Sequence, residues 1–226
     1  MGTVAAPIGK SAALNTQSGM WIEPAPLSLP GSGARVRLEP LALEHAPALF
    51  HSLDTPEIWR LRPDVQPRSV SDWEARICAC LKQTATGARS MYAVIVLTTG
   101  ECAGTTGFHA IDETNRSTEI GATIIAAKWH RTFVNTECKC VLLTHAFEVK
   151  RAVRVSFVVD MRNERSRAAV LRLGAVQEGV LRRQKICHDG HVRDAAVFSI
   201  VDAEWPSVRV RLGALLAVSR ERGSAG

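Results

Sequence analysis

Only one tyrosine, Tyr92, occurs in 226 residues, and aromatic residues make up 5% of the chain. Cations such as Arg182, Arg183 and Lys185 therefore lack the neighbouring rings that a base-stacking surface needs, and they read as a solvated strand face. No apolar run approaches the roughly 20 residues of a membrane-spanning helix; the most apolar segment, Met91–Leu97, is strand-sized. Neither Gly-x-Gly-x-x-Gly nor Gly-x-x-x-x-Gly-Lys-Ser/Thr is present, which argues against the common dinucleotide and P-loop sites. The six cysteines include no Cys-x-x-Cys pair, and Cys138 and Cys140 are two apart on a helical pattern, facing different ways. No metal site is expected, and free buried thiols in a reducing cytoplasm are. The first residues lack the basic segment and continuous apolar core of a secretory signal.

What is present is an ordinary globular composition, 46% hydrophobic and 22% charged, with 28 basic against 22 acidic residues and a net charge of +6. That balance is compatible with a phosphorylated cofactor, nucleic acid or the ribosome and selects none of them. Residues 1–34 carry only Lys10 and Glu23 as charges and are rich in Gly, Ala, Ser and Pro, so they read as a flexible extension on which Trp21 and Ile22 could dock. Residues 35–218 read as the folded domain and 219–226 as a tail.

Within the domain, Val36–Leu38 alternates like a strand and Leu43–Leu53 has helical spacing. Ser71, with Glu74 three residues on, predicts a helix start running to Leu81. Met91–Leu97, Gly104–Ile111 and Thr118–Ala126 read as a three-stranded meander, followed by a helix over Asn135–Val149 capped by Asn135 or Thr136, and a buried strand at Arg154–Val159. Glu164–Leu173 is helical and stops at Gly174; Val176–Ile186 and Val192–Val201 flank an Asp189-Gly190 hairpin turn; Trp205–Leu216 closes the domain as a helix. This order implies an α+β fold, a mixed and largely antiparallel sheet flanked by helices. The apolar run Val197–Val201 is either a homodimer surface or simply a strand. His145 reads as a core residue, and His188 and His191 as solvated turn residues.

The strand ending at Ala126, the polar loop Lys128–Thr132 and the helix after it form a junction where free backbone N–H groups and the positive helix end can meet an anion. A pyrophosphate suits that position, with Lys128, His130 and Arg131 adding charge.

The ordered blocks Arg37-Leu38-Glu39-Pro40-Leu41, Gly107-Phe108, Ile111-Asp112, Glu119-Ile120-Gly121, Trp129 to Lys139, Asp160, Asn163-Glu164-Arg165-Ser166, Leu173-Gly174-Ala175, Glu178–Arg182 and Asp189-Gly190 together resemble the GCN5-related N-acetyltransferase (GNAT) superfamily, most closely its RimJ/RimL-type group. The resemblance covers about residues 36–216. It implies acetyl-CoA as co-substrate, with a primary amine as acceptor, at a protein N-terminus or on a small molecule. The family's phosphate loop, Gln/Arg-x-x-Gly-x-Gly/Ala, corresponds to His130, Arg131, Thr132, Phe133, Val134 and Asn135, with Thr136 beside it. Phe133 stands where the family has glycine. Either its ring turns away and the backbone amides still serve, or the loop has lost the cofactor and the fold survives as a binding protein.

By the same resemblance Glu119 is the general base, the backbone around Ile124 and Ile125 stabilises the developing oxyanion, Asn163 contacts the cofactor, and Ser166 protonates the leaving thiolate. Asn163 also has an ordinary reading as a helix cap. The family's usual acid is a tyrosine on this helix, for which Ser166 or water must substitute here. Polyamine or aminoglycoside acceptors are disfavoured by the basic balance. Contact with RNA is expected only through association with the ribosome.

Overall fold

A computed structural model describes Trp21, residues 25–31 and residues 33–224, with side chains to Glu221. One sheet of eight strands runs in the order β1-β2-β3-β4-β5-β6-β8-β7. Its strands are β1 (Leu27–Ser28), β2 (Val36–Pro40), β3 (Arg89–Val96), β4 (Cys102–Asp112), β5 (Ser117–Ile125), β6 (Arg154–Asp160), β7 (Val176–Ile186) and β8 (Val192–Val201). Every neighbouring pair is antiparallel except β5 and β6.

Two helical layers cover the sheet. Helices α1 (Ala46–Leu53), α2 (Pro56–Trp59) and α3 (Val70–Ala85) bury Leu49, Leu53, Trp59, Trp73 and Ile77 against Met91 and Ile124 on one face. Helices α4 (Phe133–Thr144), α5 (Glu164–Leu173) and α6 (Trp205–Ser224) bury Leu142, Val170 and Leu212 against Phe108, Val155 and Phe198 on the other. Period-two alternation decides which strand residue meets which layer. The inferred α+β order is therefore realised, with differences at the edges of elements.

Three of those differences have local causes. The domain edge expected at residue 35 falls inside the sheet, because Leu27 and Ser28 pair with Leu38 and Arg37 of β2. Trp21 is buried edge-on against Phe108, 5.3 Å between ring centroids. The rest of residues 1–24 lie outside the described residues. Helix α3 begins at Val70, capped by Ser69 accepting from the Asp72 N–H at 3.0 Å, two residues before the expected Ser71 cap. Helix α4 is capped by Thr132, which accepts from the Val134 N–H at 3.3 Å, and not by Asn135 or Thr136. Its last turn, His145–Val149, widens to a π-turn. At the C-terminal end, α6 runs on through most of the expected tail.

The segment Val197–Val201 lies inside the sheet, between β6 and β7, so it is a strand and not a surface. The only tyrosine, Tyr92, is fully buried in β3 with its hydroxyl accepting from Ser90 at 3.0 Å, which keeps it away from any active-site role.

Candidate active site

Strands β5 and β6 pair only at Ser117–Glu119 with Arg154–Ser156 and then diverge. Parallel pairing is lost from Ile120 onward, where a bulge puts Ala122 at φ 47° and shifts the register against β4. The sheet is thus split by a V-shaped cleft, and backbone groups on its two inner edges have no ladder partner across it. Glu119 sits at the point of the V.

Three register pairs set what surrounds Glu119. Arg89 on β3 opposes His109 on β4, His109 opposes Glu119, and Glu119 opposes Ser156. Directly opposed residues share a face, so Arg89, His109 and Glu119 line up on the α1–α3 side of the sheet. His109 Nε2 lies 3.5 Å from Glu119 Oε1 and makes no hydrogen bond among the described residues. The imidazole can lie there only because residue 121 is glycine: a Cβ at Gly121 would sit 2.1 Å from His109 Nε2.

Burial pushes the Glu119 carboxyl up to about 7; the charges of Arg193, Arg89 and Lys185 and the backbone amide of Val158, across the split, pull the other way and are outweighed. Burial, aided by Arg89, Lys139 and Lys185, pushes His109 down to about 4. At neutral pH the pair is a neutral imidazole beside a half-ionised carboxylate.

The loop at the α4 side of the cleft answers the question posed by Phe133. Its ring is stacked under the Arg35 guanidinium, 3.9 Å from the centroid, and lies edge-on to Trp129 at 6.2 Å. Arg35 is itself held by the fully buried Glu137, which accepts from the Arg35 N–H at 2.6 Å and the Val36 N–H at 2.9 Å. The ring is therefore packed back toward β2. The backbone at Phe133 is also unstrained: the positive φ of this loop falls at Arg131, 61°. At the start of α4 the N–H groups of Phe133 and Asn135 point out of the helix end, where intrahelical acceptors are lacking, while that of Val134 is taken by the Thr132 cap.

His130 is pinned in one tautomer. Its Nε2 donates to the Ile125 carbonyl at 2.8 Å, and its Nδ1 accepts from Arg165 Nη1 at 2.9 Å, an arrangement that requires a neutral ring. Burial and Arg165 lower its pKa accordingly. Lys128 is paired with Glu101 at 2.6 Å. Of the three cations expected around this loop, Lys128 is paired with Glu101 and His130 is neutral, so among the described residues Arg131 alone keeps an uncompensated charge, and Arg165 from α5 approaches the loop through His130.

On the far wall, Asn163 caps α5 by accepting from the Ser166 N–H at 3.0 Å. The capping reading of Asn163 is realised, and Ser166 lies half-buried in the first turn behind it.

The sequence reading missed His109, whose importance depends on strand register, and Lys139, a fully buried cation whose Nζ donates to Thr106 Oγ1 at 3.2 Å. A glycine at 121 inside a strand, the mark of close approach by a neighbour, was the available signal for the first.

The split sheet, a carboxylate at its apex and a helix N-terminus at its mouth match a known arrangement. Residues 35–176 match the family model described as the acetyltransferase (GNAT) domain. The chain belongs to the GNAT acetyltransferase family. Members of this family use acetyl-CoA. The chain is 37% identical over 103 residues to the uncharacterized N-acetyltransferase YoaA of Bacillus subtilis, covering 46% of this chain and 57% of that protein, little more than half its length. A crystal structure from T. thermophilus, named as a candidate acetyltransferase, is 38% identical, covers 87% of this chain and 100% of its own, and superposes with a TM-score of 0.77. Mycobacterium smegmatis RimJ in complex with CoA-disulfide shares the fold at 24% identity and a TM-score of 0.72, over 84% of this chain and 93% of that one.

In this GNAT fold the residues fit acetyl-CoA. The outward amides at the start of α4 offer donors for its pyrophosphate, the Phe133 ring leaves them clear, and the cleft between β5 and β6 offers unpaired backbone for an extended amide-containing arm. Among the described residues no group of His, Cys, Asp and Glu could hold a metal ion, and no helix is long and apolar enough to cross a membrane.

Proposed function

We propose that the chain transfers an acetyl group from acetyl-CoA to a primary amine, with Glu119 as general base. The observation that carries this is the placing of Glu119 at the apex of the split, desolvated to a pKa of about 7. When bound, acetyl-CoA supplies the activated acetyl group as a thioester. The chain's own residues hold its phosphates at the loop 130–136, present the backbone near Ile124 and Ile125 to the carbonyl oxygen, and accept the amine's proton at Glu119 Oε1. Ser166, on the opposite wall, donates a proton to the departing sulfur.

The basicity of Glu119 favours one class of amine. Moving a proton to a group near 7 costs about 1.4 kcal/mol for each unit by which the donor's pKa exceeds it. An α-ammonium near 7.7–8.0 asks for about one unit and a lysine ammonium near 10.4 for more than three. Weakly basic amines, peptide N-termini among them, are therefore the easier acceptors, and a more basic ω-amine must reach the site already deprotonated. The Bacillus subtilis relative YdaF, named as a candidate ribosomal N-acetyltransferase and 31% identical over 106 residues, is consistent with such an acceptor.

Glu119→Gln tests the assignment. Turnover on an N-terminal peptide should fall by about 100-fold or more while acetyl-CoA affinity is retained. Unchanged turnover removes Glu119 from the mechanism.

A further inference from the structure

The acceptor side of the cleft has a charge that acetyl transfer alone does not require. A cavity of about 190 Å³ opens on the α1–α3 face, floored by Met91, Thr105 and Ala122 and walled by Trp73, Arg76 and Arg89. Its floor lies on the Glu119 face of the sheet. With strands 4.7–4.9 Å apart, Arg89 and Glu119, two strands from each other, have Cα atoms about 10 Å apart.

Of the charged groups, Arg76, Arg89 and Asp64 line the cavity, and Arg62, Lys185 and Arg193 are close enough to act on Asp64 or Glu119. The last two cations come from the β7–β8 hairpin, whose tip is tied to the opposite wall by the His188 N–H donating to the Pro63 carbonyl at 3.1 Å. Asp64 is already shared by Arg76 at 2.7 Å and Arg62 at 3.3 Å. Among the described residues Arg193 donates to the neutral Gln184, through Nε at 3.0 Å and Nη2 at 2.9 Å, and to no carboxylate. Arg89 donates Nη1 to the neutral Gln83 at 2.9 Å and contacts Cys80 Sγ at 3.7 Å, while its Nε is buried with no acceptor. Arg62 Nε is likewise buried without one. Arg89 thus lines the cavity with a buried, unsatisfied Nε and no carboxylate partner among the described residues, a costly arrangement unless something satisfies it, while the half-buried Arg193 and the exposed Lys185 add positive charge nearby.

We infer that the acceptor carries a carboxylate within about 10 Å of its reactive amine, bound by Arg89 at the rim of this cavity. The inference rests on the acetyltransferase reading of the cleft. A peptide N-terminus whose second residue is Asp or Glu has this spacing, since consecutive Cα atoms are about 3.8 Å apart. A free ω-amino acid has it too. Both offer the same chemistry, an amine and a carboxylate on a short tether. Polycationic amines are repelled by the same walls.

Isothermal titration of the full chain with CoA bound, using two matched pairs, separates the cases. One pair is the C-terminally amidated peptides Ser-Glu-Ala-Ala and Ser-Gln-Ala-Ala; the other is 6-aminohexanoate and 6-aminohexanamide. The acid of at least one pair should bind at least tenfold more tightly than its amide, and the gap should vanish in Arg89→Met and persist in Arg89→Lys. A gap in the peptide pair identifies a peptide acceptor, and a gap confined to the second pair a small one. Equal affinities within both pairs, or a gap that Arg89→Met leaves intact, overturns the inference. Should Arg89→Met fail to fold, raising salt from 50 to 500 mM must close the gap instead, and a gap insensitive to salt counts against the inference. Acetylation rates measured in parallel distinguish the two readings: turnover without an acid–amide gap sinks only this one, and a gap without turnover of any amine sinks the acetyl-transfer reading.

Discussion

Glu119 is stabilised in its protonated form by the fold, and that has a consequence for pH at the level of one residue. Its pKa is about 7 in the folded protein, against an ordinary carboxylate value near 4.3 when unfolded. A base must be ionised to work, so kcat/KM for an uncharged-side-chain acceptor should rise with pH through a limb near 7, and Glu119→Gln should abolish the limb. For stability the sign is opposite to the usual acid case. Between the two pKa values the folded state holds a proton that the unfolded state has released, so raising pH from 4.5 through 7 costs stability. Glu119→Gln removes that cost, and urea unfolding at pH 8 should find the variant more stable by roughly 1–3 kcal/mol, with no gain at pH 4. A variant no more stable at pH 8 than the parent would show that the carboxylate is not desolvated as the structure places it.

Phe133 gives a second expectation at this scale. Because its ring is packed by Arg35 and Trp129 and its backbone is ordinary helix, Phe133→Gly removes a support and not an obstruction. The variant should lose about 1–3 kcal/mol of stability, from lost apolar burial and glycine in the first helical turn, without tighter binding of acetyl-CoA. A marked gain in affinity, seen by titration calorimetry, would restore the obstructing role.

Among the elements, those with a strong periodic signal were legible: helix Glu164–Leu173 and the hairpin strands Val176–Ile186 and Val192–Val201 have the bounds that spacing, Gly174 and Asp189-Gly190 indicate. What was not legible depends on partners distant in sequence. The short β1 is a strand only because β2 offers an edge, and α2 is a single turn around Trp59, whose ring packs on Trp73 and beneath Arg62 and Arg76. The same holds in the site. Glu119 and the loop 130–136 were readable as a contiguous motif, whereas His109 enters through strand register and Arg89, Arg193 and Lys185 through the approach of separate strands.

Gly121 connects the two levels, since its glycine matters only because β4 and β5 pair in this register. Gly121→Ala places a methyl group within 2.1 Å of His109 Nε2 and must displace the imidazole or bend β5. The expected result is a fall in kcat of tenfold or more with a loss of about 1–3 kcal/mol in stability. Parent-like kinetics would mean that the placing of His109 beside Glu119 has no bearing on turnover.

Across the whole molecule, the sheet is two half-sheets joined by three residue pairs of β5 and β6. Their union depends instead on the helical layer beneath, where α4 and α6 meet in a core shared by Phe108 from one half and Phe198 from the other, with Phe147 stacked on Trp205 at 5.3 Å. A cleft held open by packing behind it is rigid at its base and less constrained at its mouth. A ligand lying in it would be held by backbone of β5, the start of α4 and the first turn of α5, and so would tie both halves together. Acetyl-CoA and CoA at about 100 times their dissociation constants should add roughly 2.7 kcal/mol of stability, and ATP at the same concentration, lacking the arm that fills the cleft, should add much less. Hydrogen exchange places the effect: protection should increase on both inner edges, at Ala122–Ile125 and around Val158, as well as at the α4 N-terminus. A shift equal for ATP and acetyl-CoA, with protection confined to the start of α4, would mean that only phosphates are recognised and that the cleft is not the acyl site.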